Sequence, residues 1–136
     1  MKILFLSSEA TGLIKTGGLA DVARALPLAL YQKGHDVRIV LPNYLPIART
    51  QNYSPAIPSL GVSMGDSELF CSVHQTRLEK LPVYLIEYHD FFLRNHPYED
   101  VAGNPHPDNG ERFGFFCKAA LQLCLAENFI PDIVHV

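Results

Sequence analysis

Lys15, Gly17, Gly18 and Asp21 stand in one short stretch, Lys15-Thr16-Gly17-Gly18-Leu19-Ala20-Asp21-Val22, and their types suit the capture of an anion. An unperturbed ammonium is ionised at neutral pH and brings mobile positive charge. Glycines leave no side chain between a phosphate and the backbone amides. If a helix begins here, the unpaired N–H groups of its first turn and its dipole attract the same anion. The spelling differs from the two commonest phosphate loops. Gly12 and Gly17 enclose four residues as in nucleoside triphosphatases, but Gly18 and Leu19 stand where that loop needs lysine and serine or threonine. The dinucleotide fingerprint, with its glycines spaced one and then two apart, is absent too. On residue types alone, a flexible turn with a solvated lysine is an equal reading.

Three carboxylates flank or enter this region. Asp21 falls near the third helical position if Gly18 is the cap, where it could satisfy amides and oppose the dipole. A carboxylate crowding a phosphate at the same helix end repels it, so a functional Asp21 points sideways, away from the anion. Glu9 is either a solvated loop carboxylate or a polar group turned into a cleft. Asp108 is either the cap of a later helix or a group bordering that cleft, and Arg112 reads as a solvated first-turn residue beside it.

The order of residues narrows the choice. The stretch from Lys15 to Val22, preceded by Ser8-Glu9, resembles the N-terminal signature of bacterial glycogen synthases and plant starch synthases. The resemblance continues through Lys2 to Glu9, Ala25-Leu26-Pro27, Gly34-His35-Asp36-Val37-Arg38, Asp108-Asn109 with Arg112-Phe113, and Pro131 to His135. It implies a retaining glucosyltransferase of the GT-B fold, with two Rossmann-like domains facing a cleft, ADP-glucose as donor and an α-1,4-glucan as acceptor. It also implies that Lys15, Gly17, Gly18 and Glu9 bind substrate and that Asp21 and Asp108 border the catalytic centre. Residues 1–136 then form the N-terminal part of the first domain, without the C-terminal nucleotide-binding domain, and such a piece is expected to be inactive by itself. His135 matches the histidine just before a His-Asp-Trp-His segment of the related enzymes. Gly12 departs from the family, which commonly has proline there, and implies a loop less rigid before ligand binds.

These residues need a strand, a turn and a helix in sequence, and the hydrophobic pattern supplies them. Lys2 to Ser7 is a continuous apolar run, as in a strand covered on both faces. Leu19, Val22, Ala23, Leu26 and Leu30 repeat at helical spacing and predict a stripe facing the sheet. Pro27 predicts a kink or break, and Gly34 the helix end. Asp36 to Leu41 reads as a second parallel strand stopped by Pro42, completing a right-handed crossover. Asn43 to Gly65, with Pro46, Pro55 and Pro58, reads as an irregular excursion. Glu68 to Arg77 and Leu81 to Tyr88 predict an exposed antiparallel pair turning at Glu79 and Lys80. Phe91 to Asn109 reads as a surface loop. Phe113, Phe116, Cys117, Ala120, Leu121 and Cys124 predict the buried face of a last helix, capped by Asp108 or Asn109. Pro131 to Val136 begins another buried strand. The fold class is α/β: a Rossmann-like, doubly wound, mostly parallel sheet with a β-hairpin excursion.

Composition bounds the rest. A chain of 136 residues with 48% hydrophobic content can bury the core of one domain. Its net charge of −3 comes with scattered lysines and arginines, so no footprint for nucleic acid or an anionic membrane is visible. The apolar runs are too short or too broken for a signal peptide or a membrane span, which points to the cytosol. Cys71, Cys117 and Cys124 have no zinc spacing, and Cys117 and Cys124 read as small packing hydrophobes. The histidines show no ligand spacing, so neither a metal nor a cofactor is expected. Against the glucosyltransferase stands a reading from another class: a free-standing α/β module that binds a phosphorylated ligand or a partner and catalyses nothing.

Overall fold

The computed structural model describes residues 1–136. The elements run β1 (Lys2–Leu6), α1 (Gly18–Gln32), β2 (Asp36–Pro42), α2 (Leu45–Thr50), β3 (Ser54–Met64), β4 (Ser67–Leu78), β5 (Leu81–Glu87), α3 (His89–Phe92), α4 (Asn109–Ala126) and β6 (Ile133–His135). They form one six-stranded sheet in the order β3-β4-β5-β2-β1-β6. β5, β2, β1 and β6 run parallel, and the β3–β4 hairpin extends the sheet antiparallel to β5. The chain steps from β1 outward to β2 and later returns to β6 on the other side of β1. Right-handed crossovers in these opposite directions put α1 and α4 on opposite faces of the sheet. The carboxyl ends of β1 and β6 therefore flank the point where the strand order reverses, the place where open α/β sheets bind ligands. No helix is long and apolar enough to cross a membrane.

The central strands carry the core. Ile3, Leu4, Phe5, Val37, Ile39, Val40, Leu41, Val83 and Leu85 are all buried, which is why β1, β2 and β5 read as unbroken apolar runs. At the rim the pattern is looser. Within residues 1–136, β6 pairs with β1, and Ile133 and Val134 are each 42% exposed.

Both long helices bury part of the stripe the periodicity indicates, with Ala23, Leu26 and Leu30 of α1 and Phe116, Ala120 and Cys124 of α4 against the core, but each is rotated from it. α1 buries Ala20, Ala23 and Pro27, while Leu19 and Val22 are 48% and 50% exposed. Small side chains let the helix lie close to the sheet, and that fit outweighs the bulk of the leucine stripe. Pro27 removes one rung of the ladder, yet the helix continues without a break to Gln32, its ring buried in the packed face. α4 buries Arg112, Phe115, Phe116, Ala119, Ala120, Leu123 and Cys124. Cys117 is exposed, and so is Leu121. Apolar residues surround much of α4, and the choice among its faces falls to a cluster of rings: Phe115 packs on Tyr88, Phe91 and Phe92, and Phe116 on Phe92. Cys71 is buried and its thiol is pushed up to about 11 by that burial, which makes it a packing residue.

The region read as irregular, Asn43 to Gly65, contains α2 and β3. Pro46 sits in the first turn of α2, where its missing N–H costs nothing. Pro55 and Pro58 lie in β3, whose register slips between Pro55 and Ile57 and again between Ile57 and Leu60. An edge strand with bulges tolerates proline, and the bulges discourage pairing with another chain. β4 and β5 form the expected antiparallel pair, but the pair is not exposed: β4 is bonded on both sides, and Cys71 and Val73 are buried.

Candidate active site

β1 delivers the chain through Ser7, Ser8 and Glu9 to the carboxyl edge of the sheet. A tight loop follows, closed by paired bonds of 3.0 Å between Ala10 and Ile14 and fastened to α1 by Thr11 N–H donating to the Ala20 carbonyl. Gly12 at its tip has φ +101°, and a Cβ there would lie 2.9 Å from Leu78 Cδ1. Proline, locked near φ −65°, does not fit this conformation. Gly12 therefore gives the loop a specific geometry that proline would not adopt.

Glu9 is 3% exposed, and its carboxylate is occupied. Oε2 accepts from Thr16 N–H at 2.5 Å and Gly17 N–H at 3.3 Å, while the Thr16 hydroxyl and the Tyr98 hydroxyl donate to Oε1 at 3.1 Å each. Glu9 is thus turned toward the glycine turn and buried there, where it acts as the turn's anchor. The Tyr98 hydroxyl is 2.5 Å from Ser8 Oγ, and because it donates to Glu9 it accepts from Ser8.

Beyond the anchored amides the turn is open. α1 starts at Gly18 with Gly17 as N-cap, and no side chain caps its N–H groups. A Cβ placed at Gly17 or Gly18 would meet nothing within 4 Å. Gly17 has φ −157°, extended backbone that other residues adopt. Neither conformation nor packing within the chain requires glycine at these two positions.

Lys15 Nζ lies 2.7 Å from both oxygens of Asp21, and the Thr11 hydroxyl donates to Asp21 Oδ1 at 2.8 Å. Asp21 therefore does not cap α1. Its hydrogen bonds from Lys15 and then Thr11 hold its carboxyl below the usual range. Both partners of the ion pair are about half exposed, so another anion can compete for the ammonium.

Asp108 is the N-cap residue of α4 by position, but its side chain makes no cap bond. Arg94 takes both of its oxygens in a forked pair of 2.8 and 2.6 Å. That guanidinium holds the carboxyl below its ordinary 3.8. A depressed carboxyl stabilises the fold above its unfolded pKa and loses that contribution as pH falls through the lowered value. Asp108→Asn should therefore cost about 1 kcal/mol near neutral pH, the pair being partly solvated. The gap from wild type in urea midpoint should close as pH drops below 3.8. A gap that persists in strong acid would show that the pair does not hold.

Arg112, expected to be solvated, is 0% exposed. It donates through Nε to the Phe91 carbonyl at 2.6 Å and through Nη1 to the Pro97 carbonyl at 2.9 Å and Asn109 Oδ1 at 2.6 Å. Burial, and secondarily the Arg94 charge, lowers its pKa. The structure thus joins Glu9, Lys15, Gly17, Gly18 and Asp21 around one turn, while Asp108 reaches that group only through the loop that carries Tyr98. Tyr98 and Arg94 were not singled out from the sequence; the unperiodic length of their loop was the one hint. His135 stacks on the Phe5 ring at 4.4 Å.

Comparison with known proteins gives the chain a family. A sequence model described as the starch synthase catalytic domain matches residues 2–136. The glycogen synthase of Aeromonas salmonicida is 48% identical over 137 residues, 99% of this chain and 28% of the relative. That of Geotalea daltonii is 44% identical over 136 residues, with the same coverage. Among solved structures, the catalytic domain of starch synthase IV from Arabidopsis thaliana, bound to ADP and acarbose, superposes with a TM-score of 0.84 at 30% identity, over 98% of this chain and 27% of that one. The chain spans about a quarter of the length of these relatives, 28% for the glycogen synthases.

Proposed function

The chain belongs to the starch synthase catalytic domain family, and from that premise we propose that it is the N-terminal part of the first Rossmann-like domain of a two-domain glucosyltransferase. The complete enzyme transfers glucose from ADP-glucose to the nonreducing end of an α-1,4-glucan, with retention at the anomeric carbon, in the cytoplasm.

One observation carries this reading for the residues present. Gly17 and Gly18 are glycine with no internal reason to be so, and they lie at the carboxyl end of β1 beside an ammonium and an uncapped helix start. What such a surface admits is a ligand lying against the backbone, and the charge there suits a diphosphate. When the bond from the anomeric carbon to the diphosphate breaks, negative charge collects on the departing oxygens. Donors already in place for that charge lower the barrier without reorganising. Lys15 and the amides after Gly17 fill that role, Asp21 steadies the ammonium and faces the sugar, and Glu9 fixes the turn from beneath.

The test is the transfer of labelled glucose from ADP-glucose to an α-1,4-glucan by the complete protein. Transfer is expected there, and none from residues 1–136 alone. A complete protein that binds a phosphorylated ligand and transfers nothing would favour the non-catalytic module.

A further inference from the structure

The loop between α3 and α4 is held by two guanidinium groups, and it carries one hydroxyl, that of Tyr98, across to β1. Arg94 forks onto Asp108 and also donates to the Asp90 carbonyl at 2.8 Å, closing the loop's two ends on each other. Arg112 grips the Phe91 and Pro97 carbonyls from inside. Asn109 Nδ2 and His106 N–H both donate to the Tyr98 carbonyl at 2.9 Å. The Tyr98 backbone is therefore fixed to the start of α4, and its hydroxyl is the part that crosses to β1, where it meets Ser8 and Glu9. Ordering a backbone residue costs about 1–2 kcal/mol, so a polar loop pinned at so many points is pinned for the position it confers.

We propose that the Arg94–Asp108 clasp is a positioning device for the reaction: it seats the Tyr98 hydroxyl on Glu9, which in turn anchors the turn at Thr16 and Gly17 so that the amides beyond it face the donor's diphosphate. This rests on the glucosyltransferase reading. Asp108, expected to border the catalytic centre, acts through Tyr98, since both of its oxygens are engaged by Arg94.

A double-mutant cycle in the complete enzyme tests the clasp. Asp108→Asn and Tyr98→Phe should each lower kcat for transfer about tenfold with KM for ADP-glucose little changed, as for a misplaced transition-state contact. If both act through one hydroxyl, the double variant should fall no more than about twofold below the weaker single variant. Asp108→Glu, which keeps a carboxylate for Arg94, should recover part of the loss. Should Asp108→Asn not fold, Arg94→Lys, which keeps the charge but loses the fork, takes its place in the cycle. Factors that multiply in an active enzyme overturn the clasp. Absence of transfer by the wild type overturns the enzyme reading instead, and amide exchange then decides the clasp separately. Faster exchange at Thr16 and Gly17 in both single variants supports it, and unchanged exchange sinks it.

Discussion

Lys15→Ala should lower glucosyl transfer by the complete enzyme about 10²–10³-fold, the loss typical of removing one donor aimed at a developing oxyanion. Its melting temperature should hardly move, because the group is spent on the reaction and not on the fold. Lys15 and Asp21 are 49% and 57% exposed, and an ion pair that open contributes little to stability. Its removal leaves Asp21 with the Thr11 hydroxyl as partner and with water. The effect should fall mainly on kcat, since the charge being met exists fully only as the sugar–diphosphate bond breaks. Steady-state kinetics beside a thermal melt give both numbers. Transfer within a few-fold of wild type would take the ammonium out of the mechanism and return the stretch to a solvated turn.

The parts of this site legible in the sequence are those where one residue type has one physical use. The apolar run of β1, the glycine pair and the lysine before it point to the turn proposed as the anion seat, although residue types alone fit a solvated turn equally well. The parallel pair β1 and β2 follows from the same kind of pattern, since strands buried on both faces carry near-continuous apolar runs. Choice among partners is not legible. Arg112 has a charged side chain at the first turn of a helix, where solvation is the ordinary fate, and only the carbonyls of Phe91 and Pro97 brought to it by the loop make burial tolerable. Asp108 had a plausible cap to serve and was taken by a stronger partner in the fork of Arg94. The periodicity of α1 and α4 holds at Ala23, Phe116, Ala120 and Cys124 and fails at Leu19, Val22, Cys117 and Leu121, because both helices carry more apolar positions than they bury and fit to the sheet chooses among them. The prolines of β3 disguised an edge strand, since proline argues against a strand only where both sides must be bonded.

Glu9 gives the sharpest separation between holding a turn and touching a ligand, and it is tested by two variants that differ in one property. Glu9→Ala strips the acceptor from the Thr16 and Gly17 amides and from the Thr16 and Tyr98 hydroxyls. Hydroxyls can turn to other partners, but backbone donors cannot, and each donor left without its acceptor at this partly buried turn costs toward the low end of about 1–3 kcal/mol. A loss of about 2–4 kcal/mol is therefore expected, with transfer falling at least 10²-fold as the turn at the diphosphate loses its geometry. Glu9→Gln keeps an oxygen for the two amides and offers an NH₂ where the two hydroxyls sit. Because a hydroxyl accepts as readily as it donates, Tyr98 can receive that NH₂ and turn its own proton to Ser8. The glutamine variant should then lose only about 1–2 kcal/mol, the difference between a charge-assisted and a neutral set of bonds, and keep transfer within about tenfold of wild type. Denaturant melts and kinetics on the pair read the outcome. If alanine and glutamine were equally damaging, the negative charge itself would be at work on the substrate; if alanine were harmless, the turn would need no anchor.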